Sequence, residues 1–454
     1  MRKFVIAAIN LFAALALLLS ACGASTPAAT TAAATTAAKA AETTAATTAK
    51  ATTAAAAGAA KTDVLYWFPH GGSPDREDIE GSVAKFNEKY PEYNVTGEWI
   101  GSSGAGVGMT DALMTAIAGG TPPDVVLFDR FMVGQWAGEG LFTELTDYAK
   151  DSGLKGEMYY DFAWQEASLK GKLYAVPFDT DNRALFYNKR LLDEAGISPP
   201  KTIAELTEAI DKLTIMEGPR FIQIGMVPWF GQGFLYTWAG AFGAQFQDAD
   251  GRITFDDPKA IEALEWMVSI AKKYGMEAIT EFATAANAGD LNPFRGEKFA
   301  MVISGPWEVA GIKKSVPDLQ YGITSVPTPD GSVARTMAGG WSHIVPKGAK
   351  NPEGGFRFAK FMSVEEGGVS YGENTTHFMC SIEINNNLSW VKSNPLFKVF
   401  IDGFPHSFCR PVIAKGQLLW DEQLSAQNNA LNGVDTPANL LKALTEKVNK
   451  ELGY

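Results

Sequence analysis

The stretch "GKLYAVPFDTDNRALFYNKRLLDEAG" (171–196) reads as two short strands in quick succession, the first around Tyr174 to Pro177 and the second around Ala184 to Tyr187. A helix, "KTIAELTEAIDKL" (201–213), follows them. Five polar or charged residues, "DTDNR" (179–183), between two apolar runs leave room for an extended crossing and too little for a helix, so "KLYAVP" is a first candidate hinge. Upstream, "DVLYWF" (63–68), "YNVTGEWI" (93–100) and "PDVVLFD" (123–129) read as strands. Between them, "DIEGSVAKFNEKYP" (78–91) and "TDALMTAIAGG" (110–120) carry helical spacing. Strand and helix alternating in this way imply parallel pairing through crossover helices, hence an α/β sheet with ligands at the strands' carboxyl ends. The same grammar resumes after the crossing, and the expectation is two α/β lobes joined by extended passes.

With 454 residues the chain exceeds one ordinary domain, which agrees with that division. Five basic side chains and one acidic one precede Thr62, so the remainder carries a net charge of −16. No basic stripe accompanies it, and nucleic acid is an unsuitable partner. Arg2 and Lys3 open the chain, an apolar run extends to about Leu19, and small residues lead to Cys22. This is the plan of an export signal, and "Leu19-Ser20-Ala21-Cys22" resembles a bacterial lipobox, with lipid on the cysteine sulfur; a retained transmembrane helix is the alternative. Residues 1–22 are therefore read as a lipoprotein signal peptide. Residues 23–61, nearly all Ala and Thr, are read as a disordered tether too poor in large apolar side chains to build a core. Beyond Cys22 the chain has only Cys380 and Cys409, which in an exported protein form either a disulfide or two separate thiols. The four histidines are scattered and no CxxC or HExxH occurs, so no metal and no cofactor are expected.

Bond-making constellations are missing from the sequence as well. There is no GxSxG elbow and no phosphate-loop motif, and "GSSGAGVG" (101–108) lacks both the lysine and the glycine spacing. Asp179 and Asp181 alone do not argue for a glycosidase. More informative are tryptophans in Gly- or Pro-rich loops and at strand ends: Trp67, Trp229, Trp238, Trp307, Trp341 and Trp420. An indole face packs on the C–H face of a pyranose, and carboxylates or guanidinium groups take the hydroxyls. Any single tryptophan is as readily a core residue, and Trp238, inside the apolar "FLYTWAGAFG", is the one most easily assigned to packing.

Several longer segments follow one another in a characteristic order: "AIAGGTPPDVVLFD" (116–129), "GEGLFTELTDY" (138–148), the 171–196 stretch, "FRGEKFAMVISGPWEVAGIKKSVPDLQYGITSVPTPDG" (294–331), "AGGWSHIVPKGAKNPEGGFRFAKFM" (338–362) and "GVDTPANLLKAL" (433–444). Over most of residues 62–454 the chain resembles the sugar-binding lipoproteins of bacterial ABC importers, the family of the maltodextrin-binding proteins. The resemblance implies a two-lobed periplasmic-binding-protein-like α/β fold with a central cleft and three hinge crossings. The first lobe would take residues 62–177 and about 343–400, the second 178–342 and about 401–454. It implies a monomeric, non-enzymatic receptor outside the cytoplasm, lipid-anchored to the membrane, that passes a carbohydrate to permease subunits. By motif it assigns substrate contacts to Trp67, Asp129, Arg130, Asp181, Trp307 and Trp420. Asp179, Arg183, Trp229 and Trp341 join them as local specificity elements. The loop "FPHGGSPD" (68–75) lacks the Asp-Lys pair of maltodextrin binders. Rival readings are an exported carbohydrate-active enzyme and the same scaffold holding a non-sugar solute.

Overall fold

The computed structural model describes residues 60–101, 107–289 and 291–454. The signal peptide, Cys22, nearly all of the tether and most of the 101–108 loop lie outside the described residues. Strands β1 (Thr62–Phe68), β2 (Tyr93–Trp99), β3 (Val125–Asp129), β4 (Ala175–Pro177), β5 (Ala184–Asn188), β6 (Met301–Ser304), β7 (Tyr321–Thr324) and β8 (Trp341–Ile344) carry the two main sheets. The first sheet has the order β2-β1-β3-β8-β4. As expected from the alternation of strands and helices, β1 runs parallel to both β2 and β3. β8 arrives from the opposite direction and pairs antiparallel with β3 and β4.

Burial explains the residue choice along these strands. β1 alternates, with Val64, Tyr66 and Phe68 inside, whereas central β3 is covered on both faces and reads as an unbroken apolar run. Helix Asp75–Lys89 turns Ile79 and Phe86 inward, and helix Pro352–Val364 sets Phe358 4.8 Å from the Tyr66 ring and 5.2 Å from Phe86. Each such buried aromatic contributes about 2 kcal/mol by removal from water.

The second sheet has the order β6-β5-β7, and both outer strands are antiparallel to β5. Here the structure departs from the simple parallel expectation. β6 and β7 are themselves linked by helix Trp307–Ser315, but β5 enters between them from the crossing and runs the other way. A second buried cluster takes Leu185, Met301 and Ile303 from one face of this sheet, while Phe186 and Val302 on the other face join the first cluster. In the second cluster Trp238 is fully enclosed, edge-on to Trp266 at 4.6 Å, and donates its indole N–H to the Pro228 carbonyl at 2.8 Å. Packing is therefore the role of Trp238.

Three passes of chain lie side by side between the sheets. Asp179–Thr180 pairs with Phe378–Met379, Asp181 bridges Gly339, and Met337 bridges Phe408. Asn182 ties the first pass to the third by donating to the Phe400 carbonyl at 3.0 Å. Gly340 has φ +125°, and a Cβ there would stand 2.3 Å from the Asp179 carbonyl oxygen. Only glycine lets the two passes approach so closely.

Candidate functional site

Where the passes meet the strand ends, the fold leaves a cavity of about 390 Å³. Asp179, Thr180 and Asp181 line it from the first pass, and Gly340 and Trp341 from the second. Pro306, Trp307 and Ala310 line it from the start of helix Trp307–Ser315, and Pro74, Asp75 and Thr375–His377 close it on the side of the first sheet. The structure thus brings together four of the residues singled out by sequence.

Each is held by an identifiable contact. The Trp307 ring lies over the backbone of Gly305, where an added Cβ would stand 2.2 Å from it, and 41% of the residue remains exposed. The Arg183 guanidinium sits 5.4 Å from the Trp307 ring centre and forms an ion pair with Asp181 through Nη1 and Oδ1. Asp181 Oδ1 also accepts the Gly339 N–H at 3.0 Å. Arg183 therefore belongs to the site through Asp181 and Trp307 without lining the cavity. Asp179 is 3% exposed, and its Oδ1 accepts the Trp341 N–H at 2.7 Å. Burial raises the Asp179 carboxyl from 3.8 to about 6, against the opposing pull of His377 and Arg130.

Sequence reasoning missed Asp75, Thr375, His377 and His70. His377 Nδ1 lies 3.7 Å from Asp75 Oδ1 and 3.0 Å from Thr375 Oγ1. His70 stands edge-on to Trp341 at 4.9 Å, and burial holds its imidazole down at about 3, in the neutral form. Asp75 and His70 lie in the loop already marked as departing from maltodextrin binders, which was the available signal for them. Nothing local marks His377.

Other expected contacts fall elsewhere. Arg130 is fully buried, and its guanidinium donates to Glu166 Oε2 at 3.0 Å and to the backbone carbonyls of Asp179, Trp341 and Gly339. Its donors are engaged within the protein, which corrects the expectation that it binds ligand hydroxyls: Arg130 fastens the hinge passes. Asp129 caps the following turn by accepting the Phe131 N–H at 3.0 Å, and it does not line the cavity. Trp67 donates to Glu98 on the neighbouring strand at 3.0 Å. Trp420 packs in a separate aromatic group with Phe234 at 5.1 Å and Phe131 at 6.0 Å, beside Arg410. Trp229 is half-buried against the second core.

The disulfide alternative is also corrected, since Cys380 and Cys409 are both free. Cys380 Sγ lies 3.0 Å from the Asp179 carbonyl oxygen, and burial pushes its thiol up to about 12; Cys409 instead faces Gln165. A larger hollow of about 550 Å³ opens between Trp164, Phe246, Phe408 and Arg410, and none of the ten expected substrate-contact residues lines it. The smaller cavity, lined by two indoles and the carboxylates of Asp75, Asp179 and Asp181, has the better chemistry for a ligand.

Two sheets joined by three passes, with an aromatic and acidic cavity between them, define a two-lobed binding protein. More specifically, the chain belongs to the bacterial extracellular solute-binding proteins, whose family model matches residues 70–369. It is 23% identical over 349 residues to the maltotriose-binding protein of Pyrococcus abyssi, covering 76% of this chain and 73% of that protein. It is 24% identical over 385 residues to a maltooligosaccharide ABC transporter solute-binding lipoprotein of Streptococcus pneumoniae, covering 82% and 86%. Among solved structures, CpMnBP1 with mannotriose bound matches with a TM-score of 0.72 at 27% identity, covering 85% of this chain and all of that one. The sugar-binding protein MalE of Xanthomonas citri, at 20% identity and a TM-score of 0.71, shares the fold.

Proposed function

We propose that this chain is a lipid-anchored receptor outside the cytoplasm that captures a mono- or oligosaccharide in the interlobe cleft and delivers it to the membrane subunits of an ABC importer. The observation that carries this reading is the pairing of Trp307 and Trp341 on one cavity with Asp179 and Asp181. Indole faces take the apolar faces of a sugar ring, and carboxylate oxygens take its hydroxyls. Relatives named for maltotriose, maltooligosaccharides and mannotriose support the saccharide class. The lipoprotein name of the pneumococcal relative supports anchoring through Cys22.

Within this reading the lobes divide as 62–177 with about 343–400 and 178–342 with about 401–454. No bond is made or broken in the role. Capture requires only that ligand stabilise the closed arrangement over the open one. A melting screen of the chain from residue 60 onward, against mono- and oligosaccharides of two to four rings, tests it. A saccharide at a hundred times its Kd adds about 2.7 kcal/mol of stability and raises the melting temperature with concentration. A panel in which no saccharide shifts the transition refutes the reading.

A further inference from the structure

We propose that the cleft selects a positively charged saccharide, an amino sugar or an oligosaccharide with a free amine; this rests on saccharide capture as the function of the same cleft. Three carboxylates, Asp75, Asp179 and Asp181, line the cavity, and no lysine or arginine does. Two of the three have a neighbour able to carry compensating charge. Asp181 pairs with Arg183, and Asp75 has the His377 imidazole 3.7 Å away. The third, Asp179, forms no ion pair: His377 and Arg130 pull on its carboxyl without bonding to it. Arg130 approaches the backbone oxygen of Asp179, at 2.9 Å, while its Nε is engaged by Glu166. His70, edge-on to Trp341, is held neutral by burial.

Asp179 is thus a carboxyl group 97% withdrawn from solvent, with Oδ1 taken by the Trp341 N–H and Oδ2 without a hydrogen bond from any described residue. Oδ2 is also not among the polar atoms sealed away from both solvent and partners. It belongs to a residue that lines the cavity, and that is where its missing partner must come from. A buried, unpaired carboxylate is costly, and an ammonium group placed against it replaces the lost hydration with a charge-assisted bond and also supplies the opposite charge that a neutral hydroxyl lacks. The walls suit the same group, because Trp307 and Trp341 line the cavity and an indole attracts a cation as well as a sugar C–H face. A net charge of −16 beyond the tether draws cationic ligands toward the protein from a distance.

The test is calorimetric titration at neutral pH, where a sugar amine with a pKa of about 8 is mostly protonated. The probes are the β-1,4-linked glucosamine disaccharide and trisaccharide, their N-acetylated counterparts, mannotriose and maltotriose. The expected result is that the free amines bind about tenfold or more tightly than the acetylated and neutral sugars, a margin that shrinks with added salt. Asp179→Asn should reduce the margin to less than about threefold, and Asp75→Asn provides an independent removal of cavity charge. Neutral sugars binding as well as or better than the amines overturns charge selection and leaves saccharide capture standing. An undiminished margin in both variants overturns the assignment to these carboxylates. No binding by any saccharide overturns both readings.

Discussion

Replacing Asp179 by Asn removes a charge from a place where the folded protein has little to stabilise it, and the consequence can be worked out with its sign. Burial raises the carboxyl from 3.8 to about 6, so between those values the folded state holds a proton that the unfolded state has released. A group with a raised folded pKa loses stability as pH increases through that window: stability is highest below about pH 4 and is fully reduced above about pH 6. The size of the shift corresponds to about 3 kcal/mol at neutral pH, an order of magnitude that needs no discount for solvent, because the side chain is 3% exposed. An asparagine carbonyl still accepts the Trp341 N–H and carries no charge. In the ligand-free protein, Asp179→Asn should therefore be more stable than the parent at about pH 7, by up to about 3 kcal/mol, and should lose that advantage by about pH 4. Asp75, Asp129 and Glu166 are raised in the same direction and slope both curves alike, so the difference between the two proteins isolates Asp179. Denaturant unfolding at the two pH values measures it. A variant less stable at neutral pH, or a difference that does not change with pH, refutes the reasoning.

Trp307→Ala should weaken saccharide binding about thirtyfold, the loss of about 2 kcal/mol of stacking, while its melting temperature stays near the parent's because the residue is 41% exposed; titration and calorimetry check the two halves separately. Gly340→Ala should cost about 2 to 5 kcal/mol, from a side chain forced to φ +125° and a Cβ 2.3 Å from the Asp179 oxygen; urea unfolding reads the loss, and a change under about 0.5 kcal/mol would contradict the close approach of the passes. Cys22→Ser should leave saccharide affinity unaltered and shift the protein from the membrane pellet to the soluble fraction, or leave it unprocessed; full retention of a processed protein would contradict lipid anchoring.

How far the sequence could be read depended on the range of the interactions involved. The elements around the crossing were legible, since β4 and β5 and the helix Ile203–Leu213 follow from local apolar spacing and from the Thr202–Glu205 capping box. The antiparallel second sheet was not, because strand direction depends on partners more than a hundred residues further along the chain. Asp181 and Trp307 stood out because each sits in a short motif at a turn. Arg130 was misread for the opposite reason. The Asp-Arg step after β3 is visible, but the carbonyls that absorb its guanidinium belong to Gly339 and Trp341, and no local pattern tells which way the side chain turns. The encounter of Asp75 with His377 is likewise a product of tertiary packing, as their helix and loop meet only in the folded chain.

The corrected place of Arg130 bears on how capture couples to closure. Its bonds to the backbone of Asp179, Gly339 and Trp341 fasten two of the passes to the end of β3, so Asp179 and Trp341 are fixed to the first sheet. Two residues beyond Asp179, Asp181 is joined through Arg183 to Trp307, which opens the helix linking β6 to β7 of the second sheet. The cavity thus meets one set on the side of the first sheet, Asp179 and Trp341, and another on the side of the second, Trp307, with Asp181 bonded to both through Gly339 and Arg183. A sugar held by only one set gains equally in any arrangement of the lobes and moves no equilibrium, however tightly it binds. A sugar touching both gains the second set only when the lobes are closed. Two such contacts of about 1.5 kcal/mol each shift the balance more than a hundredfold, enough to make closure the signature of a loaded receptor.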